Sequence, residues 1–248
     1  MKVLSGLILI FIFSLSVGVS FKSEQLKYPR VRQAYTDKES EVVEMLNNHN
    51  IKIEHLNLYL RAFKHDKILE LWGKNKSDDQ FQLIKKYAIC ASSGVIGPKR
   101  KEGDLQVPEG FYHINIFNPS STFYLSLGIN YPNKSDRILG DQHKLGGDIY
   151  IHGSCVTIGC LPITDPEIKE LYVMCVEARN NGQTTIPITI FPTELTAENY
   201  AYLRTSFSNN SANLGLWQDL KKGYDLFNQN KTLPKIGFLS NGRHTVEE

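Results

Sequence analysis

The sequence predicts a mainly β domain with flanking helices, an α+β fold with helical extensions at both ends of the chain. Two observations carry that expectation. Apolar residues alternate with period two over Leu56–Phe63, Tyr112–Ile116 and Ile186–Ile190, the pattern of strands that bury a face. Ile168, Leu171, Tyr172, Cys175 and Val176 recur at i, i+3, i+4, i+7 and i+8, the stripe of a helix packed on a core. The totals agree: 248 residues, 41% hydrophobic and 22% charged, can bury a full core. The chain divides into a leader (1–20), a helical lead-in (21–54), a main domain (55–193) and a helical extension packed on it (194–248).

In chain order, Met1-Lys2 and the apolar run Val3–Val19, closed by Gly18 and Ser20, read as a secretory signal. Ser5, Gly6, Ser14 and Ser16 dilute the run, which weakens a membrane-spanning reading. Phe21–Arg32 is polar and expected to be loosely ordered. Thr36-Asp37-Lys38-Glu39 has capping-box spacing, and Val42, Val43, Met45 and Leu46 follow on one side of a short helix. Leu56–Phe63 and Ile68–Trp72 flank the polar turn Lys64-His65-Asp66-Lys67 as a hairpin, which makes His65 a turn residue. A strand is expected near Leu83–Ala91, with Cys90 in the core. Gly94–Gly110 reads as a loop, and its Lys99-Arg100-Lys101 trio as a solvated one.

Tyr112–Ile116 and Phe123–Ile129 read as strands on either side of Asn118-Pro119-Ser120-Ser121, with His113 structural or facing solvent. Tyr131–Gly147 has no period and contains His143. A loop of that length is more often functional than idle, and it is expected to cover the cleft leading to His152. Thr164-Asp165-Pro166-Glu167 joins a cap, a proline at the first helical position and a glutamate three after the threonine, so a helix starts there. Thr184–Phe191 is a further strand, in which Pro187 suggests an edge position or an irregularity. Two helices follow, carrying Tyr200, Leu203 and Phe207, then Leu216, Trp217, Leu220, Tyr224 and Phe227, before a frayed tail.

The chemistry concentrates in Ile151-His152-Gly153-Ser154-Cys155-Val156-Thr157-Ile158-Gly159-Cys160-Leu161-Pro162. A thiol becomes a good nucleophile when a neighbouring imidazole takes its proton. Cys160, at a Gly-Cys junction before a helix, reads as the nucleophile and His152 as its base. The Gly153 carbonyl, or Ser154, would hold the imidazole tautomer. Gly159, Thr157 and Ser154 are the candidates for oxyanion or substrate binding, with backbone N–H groups near Gly159 and Cys160 as the oxyanion donors. Cys155 reads as core or disulfide-bonded, and Cys175, on the helical stripe, as core. With Cys160 free, the other three cysteines allow at most one bridge.

His152-Gly153, a short gap, then Thr157-x-Gly159-Cys160-Leu161 resembles the active-site signature of the YkuD-type L,D-transpeptidase family. Its common form has a longer gap, Ser in place of Thr, and Arg where Pro162 stands. The short gap and Leu161-Pro162-Ile163-Thr164-Asp165 are similar to its YafK-like subgroup, as is Leu216–Asp225. Gly103-Asp104 with Val107-Pro108-Glu109-Gly110-Phe111-Tyr112 resembles the segment that precedes a cleft-flanking strand in the family. The resemblance implies a YkuD-like β-sandwich or curved sheet in the main domain. It also implies an acyl-enzyme on Cys160, with His152 as general base.

Three functions follow as expectations. The first is an exported cysteine acyltransferase acting on peptidoglycan stem peptides, with an amine or envelope protein as acceptor. The second uses the same pair to hydrolyse murein peptides or release murein-attached protein. The third is a murein-binding module without chemistry. A net charge of +2 gives no reason to expect a nucleic-acid partner, and the membrane enters only through the leader. There is no phosphate loop, nucleotide fingerprint or His-Glu-x-x-His. Cys155 and Cys160, with His143 and His152 nearby, match no standard zinc spacing, so neither a metal nor a cofactor is expected. The expected destination is the periplasm or cell envelope.

Overall fold

The structure, a computed structural model, describes residues 19–248. The expected leader lies outside the described residues apart from Val19 and Ser20. In order come α1 (Phe21–Gln25), α2 (Pro29–Asn47), β1 (Leu56–Phe63), β2 (Ile68–Asn75), β3 (Gln82–Ala88), β4 (Gly110–Asn118) and β5 (Ser126–Ile129). They are followed by α3 (Lys134–Leu139), β6 (Tyr150–His152), β7 (Leu161–Pro162), α4 (Asp165–Asn180) and β8 (Ile186–Phe191). The chain ends with α5 (Ala197–Ser206), α6 (Ser211–Asn230), β9 (Lys235–Phe238) and β10 (His244–Glu247).

Eight strands form one curled sheet in the order β3-β2-β1-β8-β4-β5-β6-β7. The β1–β8 and β6–β7 pairs are parallel and the other pairs antiparallel. Strand alternation assigns the two faces. Leu56, Leu58, Leu60 and Ala62 of β1 join the main core with the buried residues of α2 and α4. Tyr59 and Phe63 face the other way, into aromatic clusters with Trp72 and Phe227 and with Phe191 and Trp217 of α6. β1 is therefore covered on both faces, which is why Arg61 is buried there. It donates to the Asn228 side chain at 2.7 Å, beside Glu70, under the rings of Tyr224 and Phe63.

Helix α4 packs its apolar stripe on the sheet and is itself covered by α2. Each such aliphatic side chain contributes about 1.5–3 kcal/mol on burial. Two of its polar residues are buried too, each with a partner: Glu170 accepts from Lys85 and Tyr87 at 2.8 Å, and Glu177 from Tyr35 at 2.8 Å. The helix starts where the sequence places it. The Glu167 carboxylate accepts from the Thr164 N–H at 3.1 Å and from the Thr164 hydroxyl at 2.9 Å.

Several expectations need correction. The segment 21–32 is ordered, as α1 and the start of α2, because the buried Gln25 accepts from Tyr172 at 2.7 Å and Val31 enters the core. Pro187 lies in an interior strand. It precedes the β1–β8 ladder, which begins at Leu60–Ile188, and the Gln183 side chain satisfies the Leu58 backbone ahead of it. Phe123 stands in a turn before β5. Lys99 is buried in an ion pair with Asp104 at 2.7 Å, and Arg100 pairs with the buried Asp136 at 3.2 Å, so of that trio only Lys101 is solvated. The tail is a β9–β10 hairpin held to α6 by Arg243–Asp219 at 2.6 Å.

Candidate active site

The site forms at the far edge of the sheet, where β6 and β7 run side by side. Their register pairs Ile151 with Leu161 and His152 with Pro162. Ile151 and Leu161 are buried in the core. Side chains alternate along strands, so Cys160, one residue before Leu161, and His152, one after Ile151, lie together on the opposite face. Strand spacing and rise put their Cα atoms ~8 Å apart. The register thus places Cys160 and His152 on the same side of the β6–β7 pair.

His152 is only 2% exposed. Its Nδ1 lies 2.6 Å from the Gly153 carbonyl. A carbonyl only accepts, so Nδ1 carries the proton and Nε2 presents a lone pair. The Phe123 ring stacks on the imidazole at 4.6 Å. Burial pushes the His152 pKa below its usual 6.5, opposed by the Gly153 carbonyl, so the ring is neutral at pH 7. Gly153 is required by close approach: a Cβ there would strike the Asp165 carboxylate and the Phe123 carbonyl. Asp165, in the first turn of α4, also accepts from the Ser154 N–H at 2.8 Å. Ser154, with φ +63°, thus fixes the turn through its backbone, while the tautomer is held by Gly153.

Cys160 ends a tight turn organised by Thr157. The Thr157 hydroxyl donates to the Cys160 carbonyl at 2.9 Å and accepts from the Cys160 N–H at 2.8 Å and the Gly159 N–H at 3.2 Å. Gly159 has φ +133°, which a side chain disfavours. Both amides expected to serve as oxyanion donors are therefore engaged by Thr157 in this state. The thiol donates to the Asp148 carbonyl at 3.4 Å. Among the described residues no hydrogen bond joins it to His152. Burial pushes the Cys160 thiol above its usual value; the Tyr150 amide opposes this, Asp148 adds to it and Lys99 opposes it. The resting pair is thus a neutral thiol and a neutral imidazole.

The other cysteines are committed elsewhere. Cys90 and Cys155 form a disulfide with Cα atoms 5.4 Å apart, and Cys175 is buried. Cys90 is therefore not a core residue. It lies exposed beyond β3, where its N–H donates to the Pro162 carbonyl at 3.0 Å. The bridge ties the active-site turn to that segment.

Cys160 also contributes to the wall of a cleft of about 190 Å³. The opposite wall is the β1–β2 turn with Lys64, His65 and Lys67, and the segment Ala91–Ile96. Neither His152 nor the loop Tyr131–Gly147, expected to cover the cleft, is part of its lining. The loop contains α3 and packs on Lys99–Glu102, through Glu102 N–H to the Lys144 carbonyl at 2.8 Å and Asp141 N–H to the Arg100 carbonyl at 2.7 Å. His143 is exposed on it and His113 is partly buried on β4, both outside this cleft. Reading the sequence missed His65, Phe123, Asp148 and Asp165. Only Asp165 carried a signal, as the residue after a helix cap.

Residues 59–190 match the YkuD family, the L,D-transpeptidase catalytic domain. The chain is 36% identical over 193 residues to the Escherichia coli K12 protein described as "Putative L,D-transpeptidase YafK", covering 77% of this chain and 74% of that one. It belongs to the YkuD family. The E. coli O157:H7 protein of the same description matches to the same extent. Among solved structures, the helical cell shape determining protein Pgp2 of Campylobacter jejuni superposes with a TM-score of 0.45 at 18% identity, over 74% of this chain and 73% of that one. Bd1075 of Bdellovibrio bacteriovorus gives a TM-score of 0.39 at 22% identity, over 62% and 55%. For this YkuD-family chain the site to be explained is the His152–Cys160 edge.

Proposed function

We propose that the protein is an exported L,D-transpeptidase-type cysteine acyltransferase acting on peptidoglycan stem peptides. Membership of the YkuD family supports the reaction class. The observation that carries the residue assignment is the Nδ1–Gly153 hydrogen bond of 2.6 Å, which frees Nε2 on the face shared with Cys160. Of the four cysteines, Cys160 alone is neither bridged nor wholly buried.

In the proposed reaction, rotation about χ1 turns the thiol from the Asp148 carbonyl toward Nε2. His152 takes the proton as sulfur attacks the carbonyl at the L-centre of a diaminopimelate residue. The C–N bond to the following residue breaks, and the imidazolium returns its proton to the leaving amine. An acceptor amine then attacks the thioester, losing a proton to Nε2, which passes it to the departing sulfur. The Cys160 or Gly159 N–H shifts from Thr157 to the oxyanion as it forms; such a donor is worth ~3 kcal/mol of barrier. Pro162, standing where the common family signature has arginine, keeps hydrolysis by the same pair as the second reading.

Mass spectrometry of murein incubated with purified protein tests the proposal. New dimers or amine adducts, absent with Cys160→Ala, are expected. Smaller fragments alone would assign hydrolysis, and no change in the murein with an intact fold would leave only binding.

A further inference from the structure

We infer that the cleft beside Cys160 is a carboxylate subsite, in which Lys67, His65 and Ser93 receive the terminal carboxylate of the peptide residue displaced during acylation. The inference rests on Cys160 being the nucleophile of a peptide acyl transfer.

The cleft wall is electrostatically one-sided. Three basic residues line it, Lys64, His65 and Lys67, and no carboxylate does. Lys64 is already spent. Its ammonium is buried, 3.0 Å from the Glu109 carboxylate, and donates to the Gly97 and Val107 carbonyls at 2.7 and 2.8 Å. Glu109 in turn accepts from Trp217 Nε1 at 2.7 Å. Lys67 and His65 are exposed, and among the described residues neither side chain has a hydrogen-bond or ion-pair partner. Ser93 Oγ, in the same lining, is buried with no partner. An unpaired buried hydroxyl is costly unless a ligand completes it.

Lys67 and His65 sit on fixed backbone. The Lys64 and His65 N–H groups donate to the Phe191 and Pro192 carbonyls at 3.1 and 2.9 Å, and the Lys67 carbonyl accepts from Ile89 N–H at 2.8 Å. The turn that carries both side chains is thus pinned through its backbone on both sides. Size sets what enters. A cleft of about 190 Å³ is below the range that encloses a whole drug-sized ligand. It suits the end of a peptide, one small residue and its carboxylate. Adjacent Cα atoms are 3.8 Å apart, so a carboxylate one residue past the attacked carbonyl falls within such a cleft. Positive walls of low dielectric also concentrate anions near the sulfur.

Two measurements on the full protein test this. The first compares a murein tetrapeptide with its C-terminal amide. Lys67→Glu is expected to raise KM for the free acid at least tenfold and leave the amide unchanged, while Lys67→Arg stays within about twofold of wild type. Equal effects on acid and amide, or none on either, overturn the subsite. The second needs no natural substrate: the ratio of Cys160 alkylation by iodoacetate to that by iodoacetamide, read by peptide mass mapping. Lys67→Glu is expected to lower that ratio at least fivefold and Lys67→Arg to preserve it; an unchanged ratio in Lys67→Glu overturns the inference. If no murein peptide is turned over while the alkylation ratio responds, the proposed reaction fails and the anion subsite stands.

Discussion

Replacing Thr157 by valine keeps the side chain's shape and removes one oxygen. That oxygen makes three hydrogen bonds, to the Cys160 carbonyl at 2.9 Å, the Cys160 N–H at 2.8 Å and the Gly159 N–H at 3.2 Å. At a net ~1 kcal/mol each, about 3 kcal/mol of local stabilisation is lost from the turn that carries the proposed nucleophile. The disulfide at Cys155 and the β7 pairing at Leu161 still hold both ends of that turn, so the effect concentrates on the position of the sulfur. A displacement of ~1 Å at a reacting atom costs roughly a hundredfold in rate. We expect Thr157→Val to slow acylation of Cys160 by about that factor, measured by intact mass against time, and Thr157→Ser to stay within about threefold of wild type. The same substitution frees two amides for an oxyanion. A Thr157→Val protein that acylates as fast as wild type, or faster, would refute the view that Thr157 places the nucleophile.

The rate of Cys160 carbamidomethylation should rise with pH through an inflection above 9, because burial holds the thiol protonated; an inflection below 7 would mean a preformed thiolate–imidazolium pair. Acylation should fall on the acid side with a midpoint below 6.5, where the depressed His152 gains its proton, and a midpoint above 6.5 would contradict its buried, neutral state. Removing the disulfide in a Cys90→Ser, Cys155→Ser protein should lower stability to urea by up to about 4 kcal/mol, the chain-entropy value for a separation of 65 residues. Cys160 should still be acylated in that protein, more slowly; loss as complete as in Cys160→Ala would contradict the view that Thr157 and the β7 pairing hold the turn without the bridge.

Much of the sheet was legible because its strands are covered in a regular way. Leu56, Leu58, Leu60 and Ala62 alternate because one face of β1 meets α4, and the capping residues Thr164 and Glu167 mark the start of α4 without ambiguity. What escaped depends on contacts distant in sequence. Helix α1 carries few apolar residues and is held partly through Gln25 to Tyr172, a bond spanning 147 positions. Periodicity cannot show that Cys90 lies past the end of its strand, opposite Cys155. Lys99 and Arg100 look like a solvated run until Asp104 and Asp136 are brought to them. At the candidate site, the proximity of His152, Gly153, Thr157, Gly159 and Cys160 was legible because they lie within nine consecutive positions. His65 and Lys67 were not, because only the fold brings the β1–β2 turn to the same cleft.

The central claim is that His152 takes the proton from the Cys160 sulfur, and acylation of the purified protein by a murein tetrapeptide tests it most directly. After brief incubation and acid quench, peptide mapping should find the acyl group on Cys160 in the wild type. It should be absent from Cys160→Ala and slowed by at least a hundredfold in His152→Gln at pH 7. An adduct on any other residue, or His152→Gln acylating at the wild-type rate, would contradict the claim.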